Sequence, residues 1–134
     1  MLLTILYILG IHYIADFILQ TDWMASNKSK NNKALGAHVL VYTFFIGLMM
    51  LSPIWAIING IIHFITDYIT SRITSKLYKE FSIERDQYYT IGGKDWETYT
   101  ADKRHAFFEV IGLDQLIHTS TLIATWFWIN QIWF

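Results

Sequence analysis

A histidine and an aspartate lie four residues apart in a stretch that is otherwise apolar enough to enter a membrane. Within residues 60–71, His63 and Asp67 interrupt a run rich in isoleucine and aromatic residues. Positions i and i+4 share one face of a helix, so the two side chains should point the same way. Because an ionisable pair is costly to place against lipid, we expect this face to point inward and to serve a function.

Four apolar runs predict an all-α fold. Hydrophobic residues make up 54% of the 134 residues and charged residues only 16%, which is too apolar for an ordinary soluble domain. About 20 apolar residues suffice for a helix to cross the hydrocarbon layer. We therefore predict a single domain, a polytopic membrane bundle of four transmembrane helices at about residues 2–20, 34–51, 54–76 and 105–132.

The two long loops between these predicted spans carry most of the lysines and arginines. Loops 21–33 and 79–104 are basic, whereas the short turn at Ser52 and Pro53 has no charge. The positive-inside rule then predicts a multi-pass protein of the inner membrane, with both loops in the cytoplasm and both termini outside. Gly92 and Gly93 predict a small β-hairpin within the second loop.

The pairing of histidine with aspartate recurs along the chain. His12 and Asp16 repeat it in the first predicted span, and Asp114 and His118 carry it in reverse order in the fourth. The first and third spans run inward and the fourth runs outward, so the reversal keeps the aspartates at one depth and the histidines at another. His38 adds a side chain from the second span.

This pattern predicts a metal site. The predicted ligands come from all four helices: His12, Asp16, His38, His63, Asp67, Asp114 and His118. Imidazole and carboxylate groups suit Zn²⁺, with Mn²⁺ or Fe²⁺ as alternatives. Seven ligands exceed the needs of one tetrahedral ion, so we favour two ions. Two ions about 3.5–4 Å apart can activate water and stabilise an in-line displacement at phosphorus.

Further polar residues are candidates for supporting roles. Gln20 and Gln115 lie close in sequence to predicted ligands and could orient them through hydrogen bonds. Glu109 is a candidate for the same role or for proton transfer. Lys28 and Arg104 could meet a phosphate or an anionic headgroup, but charges that only set membrane topology are the favoured interpretation.

Three stretches resemble a known family: His12-x3-Asp16-Phe17-x2-Gln20, His63-x3-Asp67-Tyr68 and Gly112-Leu113-Asp114-Gln115-x2-His118. They look like the DUF3307 family of small bacterial and phage membrane proteins, over nearly the whole chain except the loop after the third span. The paired His-x3-Asp motif is more distantly similar to the zinc sites of bacterial phospholipase C, P1 nuclease and the membrane-bound metal-dependent hydrolases. That similarity implies phosphoester hydrolysis by a zinc cluster in a helical bundle.

The function expected from these observations is metal-dependent hydrolysis of a lipid-like or small phosphorylated substrate by activated water, and the sequence singles out no separate general base. Two alternatives stay open: a transporter of ions, protons or metal, and a non-enzymatic membrane accessory protein with a structural metal. The net charge of -1 gives no reason to expect nucleic acid as a partner. The absence of cysteine excludes disulfides and thiolate ligands.

Overall fold

The computed structural model describes the backbone of residues 1–133 and the side chains of residues 1–130. The described elements are all helical. They are α1 (Leu2–Tyr13), which continues as a π-helical turn (Ile14–Ile18), α2 (Asp22–Asn27), α3 (Asn32–Met50), α4 (Pro53–Phe81), α5 (Arg85–Thr90) and α6 (Trp96–Trp133).

The long helices α1, α3, α4 and α6 pack side by side as a bundle. Helix α4 packs against α3 and α6, and α1 contacts the same two helices. Only Leu51 and Ser52 separate α3 from α4, so these two helices run antiparallel. Leu51 adopts the left-handed conformation (φ 50°, ψ 33°) and ends α3. Pro53 occupies the first turn of α4, where a missing N–H costs nothing.

An apolar core fills one end of the bundle. Its fully buried members are Ile8, Ile11, Ala15, Tyr42, Ile46, Trp55, Ala56 and Leu122. The indole Nε1 of Trp55 donates a hydrogen bond to the Leu122 carbonyl at 3.2 Å, so α4 and α6 are tied together within this core. The Asn59 amide also donates to Thr125 Oγ1 across the same pair of helices, at 2.9 Å.

The prediction of four transmembrane spans is wrong. Among the described residues, only α3 forms a helix that is both long and apolar enough to cross a membrane. The apolar stretch Leu2–Ile18 is shorter. Helices α4 and α6 are long, but α4 carries a row of threonines and basic residues, and α6 begins with a charged segment. The multi-pass topology that rested on four spans loses its support with them.

The predicted β-hairpin around Gly92 is also wrong. Residues before it form the short helix α5, and Gly92 ends that helix with a positive φ of 86°. The Gly93 N–H then donates back to the Tyr88 carbonyl at 3.0 Å, as at a glycine-terminated helix end. Asp95 follows and accepts from the Thr98 N–H at 3.1 Å, which caps α6. The glycine pair therefore separates two helices rather than two strands.

Candidate metal centre

Histidine and aspartate side chains from four helices meet inside the bundle next to the apolar core. The π-helical turn after α1 provides Asp16, α3 provides His38, α4 provides His63 and Asp67, and α6 provides Asp114 and His118. All of these side chains are buried except Asp114, which is 14% exposed. Buried charges of this kind are retained in proteins where they are paired or coordinate a metal.

Asp16 is placed by an irregular turn. The Leu19 N–H donates to the Ile14 carbonyl at 3.0 Å, an i→i+5 bond that marks the π-helical segment. Such turns alter the register of a helix and are frequent at functional sites. Here the turn brings Asp16 close to α3 and α4. Its Oδ1 lies 3.1 Å from His38 Nε2 and 3.5 Å from His63 Nε2, whereas its Oδ2 is 4.0 Å from His12 on its own helix.

The first group of converging donors consists of Asp16, His38, His63 and Asp67, whose ligand atoms all lie within 4.8 Å of one another. The two Nε2 atoms of His38 and His63 are 3.1 Å apart. Asp67 Oδ2 lies 3.6 Å from the first of these nitrogens and 3.7 Å from the second. A tetrahedral zinc ion with bonds of about 2.0–2.1 Å separates its ligand atoms by about 3.3 Å. The separations that involve His38 or His63, 3.1–3.7 Å, bracket that value.

A second group shares Asp67 with the first. It consists of Asp67, Asp114 and His118. His118 Nε2 lies 3.2 Å from Asp67 Oδ1 and 3.3 Å from Asp114 Oδ1. Asp67 therefore turns one oxygen toward each group, which is the arrangement of a carboxylate that bridges two ions. Three protein donors are one fewer than the four ligands that a tetrahedral zinc ion would take.

Gln115 links the two groups through hydrogen bonds. Its Nε2 donates to Asp16 Oδ2 at 3.0 Å and to Asp114 Oδ2 at 3.1 Å. Its Oε1 lies 3.1 Å from His12 Nε2, and His12 Nδ1 lies 3.2 Å from the Tyr42 hydroxyl. These contacts form one consistent chain, in which Tyr42 donates to His12, His12 donates to Gln115, and Gln115 donates to the carboxylates. Thr70 adds a donor to Asp114 Oδ1 at 2.6 Å.

The other residues singled out in the sequence lie at varied distances from the centre. His12 is buried beside it but belongs to neither group of converging donors. Gln20 lines a cavity of about 180 Å³ next to the two groups. Glu109 is exposed and pairs with His105 at 3.1 Å on the outer surface of α6, away from the centre. Arg104 is exposed on the same helix.

A family model described as "Protein of unknown function (DUF3307)" matches residues 2–133. The chain belongs to the DUF3307 family. No curated protein and no solved structure matches it. The clue to what this DUF3307 chain does is therefore the chemistry of the centre itself.

In this DUF3307 chain, Lys28 contacts the candidate metal centre. Its position in a basic loop had instead favoured the interpretation that its charge only sets membrane topology. Its Nζ donates to Asp67 Oδ2 at 2.8 Å, and the side chain is only 20% exposed. Lys28 lies at the C-terminal end of α2, which is capped at its start by Thr21 and packs against α3. The pattern of apolar runs contains no signal for this short helix, so the sequence did not indicate the contact.

The charges in the centre of the DUF3307 chain suit metal ligation. Burial lowers the pKa of His63 to about 3, so this imidazole is neutral at neutral pH. Burial opposes ionisation of Asp67, but the hydrogen bond from His118 and the positive charge of Lys28 hold its pKa well below the usual range. Metals bind neutral imidazole and ionised carboxylate. Both residues are therefore in the forms that a divalent ion requires.

Proposed function

We propose that this protein binds two divalent metal ions, with zinc as the best fit, and hydrolyses a phosphoester with their help. The observation that carries the proposal is the sharing of Asp67 between two groups of converging donors. Asp16, His38, His63 and Asp67 would hold one ion, and Asp67, Asp114 and His118 would hold the other. His12 would orient Gln115 rather than bind metal directly. Two ions bridged in this way supply activated water and positive charge for displacement at phosphorus.

The unequal donor sets of the two groups support a reactive rather than a purely structural role. The first group has four protein donors, enough to fill a tetrahedral ion. The second has three, and it borders a cavity of about 180 Å³ lined by Asp16, Asp67, Asp114, Gln115 and neighbouring side chains. A closed site next to an open one is the arrangement expected when one position must accept water or substrate. A structural metal has no need of such a cavity.

The substrate would combine a phosphate with an apolar group. Phe17 and Ile111 line the same cavity as the carboxylates, and both are partly exposed. Apolar side chains beside carboxylates suit a lipid-like or small aromatic phosphoester, whose apolar part would pack against Phe17 and Ile111. Hydrolysis would break the P–O bond to the leaving alcohol and form a new P–O bond to the water oxygen.

The apolar core weighs against the transport alternative. Beyond the centre, the bundle is filled by buried side chains such as Ile8, Ile46, Trp55 and Leu122. In that region the Asn59–Thr125 pair is a polar contact between α4 and α6, but it is hydrogen-bonded internally. A permeation path would need polar side chains in succession along the bundle. The hydrolase proposal needs access from one end alone.

The proposal is tested by metal-dependent cleavage of a phosphoester. The protein would be purified in mild detergent, because it exposes many large apolar side chains. It would then be assayed on p-nitrophenyl phosphate and bis-p-nitrophenyl phosphate with zinc or manganese. His118→Ala should lose activity, and His105→Ala, on the exposed surface of the same helix, should keep it. Cleavage that is equal in both variants, or no metal-dependent cleavage by the wild type, would contradict the proposal.

A further inference from the structure

The Lys28 ammonium is hydrogen-bonded to the carboxylate oxygen that a metal ion in the first group would need as a ligand. Its Nζ lies 2.8 Å from Asp67 Oδ2, the same atom that faces His38 and His63. A bound zinc ion would lie about 2.0–2.2 Å from that oxygen. An ammonium and a divalent cation on one oxygen atom repel each other strongly in a buried site. Metal binding should therefore displace the Lys28 ammonium from Asp67.

A cavity next to Lys28 can accommodate the displaced ammonium. Lys28 lines the cavity of about 180 Å³ that also borders Asp16, Asp67 and Asp114. A water molecule takes about 30 Å³ in the liquid, so this space can hold a small anion with some water. Lys28 is the one cationic side chain among the described residues that line it.

Two further polar atoms beside this cavity have no hydrogen-bond partner among the described residues. They are Gln20 Oε1 and Ser71 Oγ, which are buried and accept or donate no hydrogen bond within the part of the chain that the structure describes, and both residues line the cavity. Buried polar groups are nearly always paired, so unpaired atoms around one cavity indicate that a polar ligand belongs there. The Ser71 hydroxyl can donate to an anion. The Gln20 side chain can do the same once its amide is turned by half a rotation, which exchanges two atoms of similar shape.

The charge balance identifies the ligand as an anion. Two divalent ions would bring four positive charges against the three carboxylates Asp16, Asp67 and Asp114. With the released Lys28, the loaded centre would carry two net positive charges. A phosphate monoester dianion would neutralise them.

We infer that Lys28 is an anion-binding residue that rests on Asp67 until metal binds and then contacts the substrate phosphate. This inference depends on the proposed function, because it assumes that the centre holds metal. Lys28 has two successive partners in this scheme. It neutralises Asp67 in the metal-free chain, and it donates charge-assisted hydrogen bonds to the phosphate oxygens in the loaded chain.

The test compares Lys28→Met, which keeps the length of the side chain without its charge, with the control Lys30→Met at an exposed position of the same loop. Zinc affinity would be measured by competition with a chromogenic chelator. Binding of inorganic phosphate to the zinc-loaded chain would be measured by titration calorimetry. Lys28→Met should bind zinc more tightly, about tenfold, because its competitor is gone. It should bind phosphate at least about tenfold more weakly. Lys28→Arg should retain most of the phosphate binding, and Lys30→Met should match the wild type.

Unchanged phosphate binding in Lys28→Met would overturn the inference, even if zinc affinity rises. Weaker zinc binding in this variant would also overturn it, since Lys28 would then support the centre instead of competing for it. Both results leave the proposed function standing, because the wild type still binds metal. A folded wild-type chain that binds no metal overturns the proposed function, and this inference with it.

Discussion

Asp67 and His118 meet across two helices, with 3.2 Å between Asp67 Oδ1 and His118 Nε2. This contact is shorter than the 3.7 Å between Asp67 Oδ2 and His63 Nε2 on the same helix. The spacing of four residues therefore places both members of a pair on the inward face without making them each other's nearest partner. Asp67 is left with one oxygen toward each group of donors, which makes it the link between the two proposed ions.

Removal of the Gln115 amide should weaken metal binding at both sites. Gln115 donates to Asp16 and Asp114, which belong to different groups, so Gln115→Leu releases a ligand from each. Loss of a partner that orients a ligand typically costs about 10–100-fold in metal affinity. Zinc competition titrations would measure this loss. Gln87→Leu, at an exposed position in α5, serves as the control and should bind zinc like the wild type.

Tyr42→Phe should lower the free energy of unfolding by about 1–3 kcal/mol, because it leaves His12 Nδ1 buried without its hydrogen-bond donor. Thermal unfolding of the metal-free protein would report the change. Tyr13→Phe removes the same hydroxyl from an exposed side chain of the same type, so it should have little effect. Equal stability of the two variants would show that the chain from Tyr42 to Gln115 does not contribute to stability.

Gly60→Ala should destabilise the bundle, because α3 and α4 approach each other closely at this point. A Cβ atom at Gly60 would collide with the Thr43 side chain. Overpacking of this kind costs about 1–3 kcal/mol. Gly112→Ala is the matched control, since a Cβ there meets nothing within 4 Å. It should instead stabilise α6 by about 1 kcal/mol through its higher helix propensity. Chemical denaturation of both variants would show whether the changes have opposite signs.

Metal binding at neutral pH should release a proton from His118. Burial alone would lower the pKa of this imidazole, but its hydrogen bonds to Asp114 and Asp67 outweigh burial and raise the pKa from 6.5 to about 9. A metal ligand must be neutral, so the ion has to displace this proton. Calorimetric titration with zinc at pH 7, in two buffers with different heats of ionisation, should give apparent enthalpies that differ. Equal enthalpies would mean that His118 keeps its proton.

The raised pKa of His118 also makes the stability of the metal-free chain decrease at alkaline pH. Because the folded pKa of His118 lies above its unfolded value, its contribution to stability is complete below pH 6.5 and is lost as the pH rises through about 9. Thermal midpoints of the metal-free protein should therefore fall across this window. His118→Gln should lack this fall, and so should the zinc-loaded wild type.

The inward faces could be predicted from sequence because they depend on local periodicity. Six of the seven side chains named as ligands lie in the two groups of donors, and Asp114 and His118, which carry the pair in reversed order, converge with Asp67 of α4. The pairing across helices could not be predicted in the same way. It depends on how the helices are rotated against one another, and the π-helical turn at Asp16 alters that rotation without a signal in the hydropathy pattern.

The prediction of four membrane spans failed because the apolar runs and the polar centre occupy the same helices. The long helices α4 and α6 contain too many polar side chains to be apolar enough for a span, and the apolar stretch Leu2–Ile18 is too short. The contact of Lys28 with Asp67 was missed for another reason. It joins residues 39 positions apart through the short helix α2, and such a contact depends on the folded path of the loop.

The most direct test of the account is the metal content of the purified, zinc-exposed protein, measured by mass spectrometry of the metal together with the protein concentration. The wild type should hold two ions per chain. Asp16→Asn and His118→Ala should each hold about one, because each belongs to a single group, and Asp67→Asn should lose both ions. Circular dichroism would establish that each variant is still folded. A folded wild-type chain without bound zinc, or an Asp67→Asn variant that keeps two ions, would contradict a centre built around a shared Asp67.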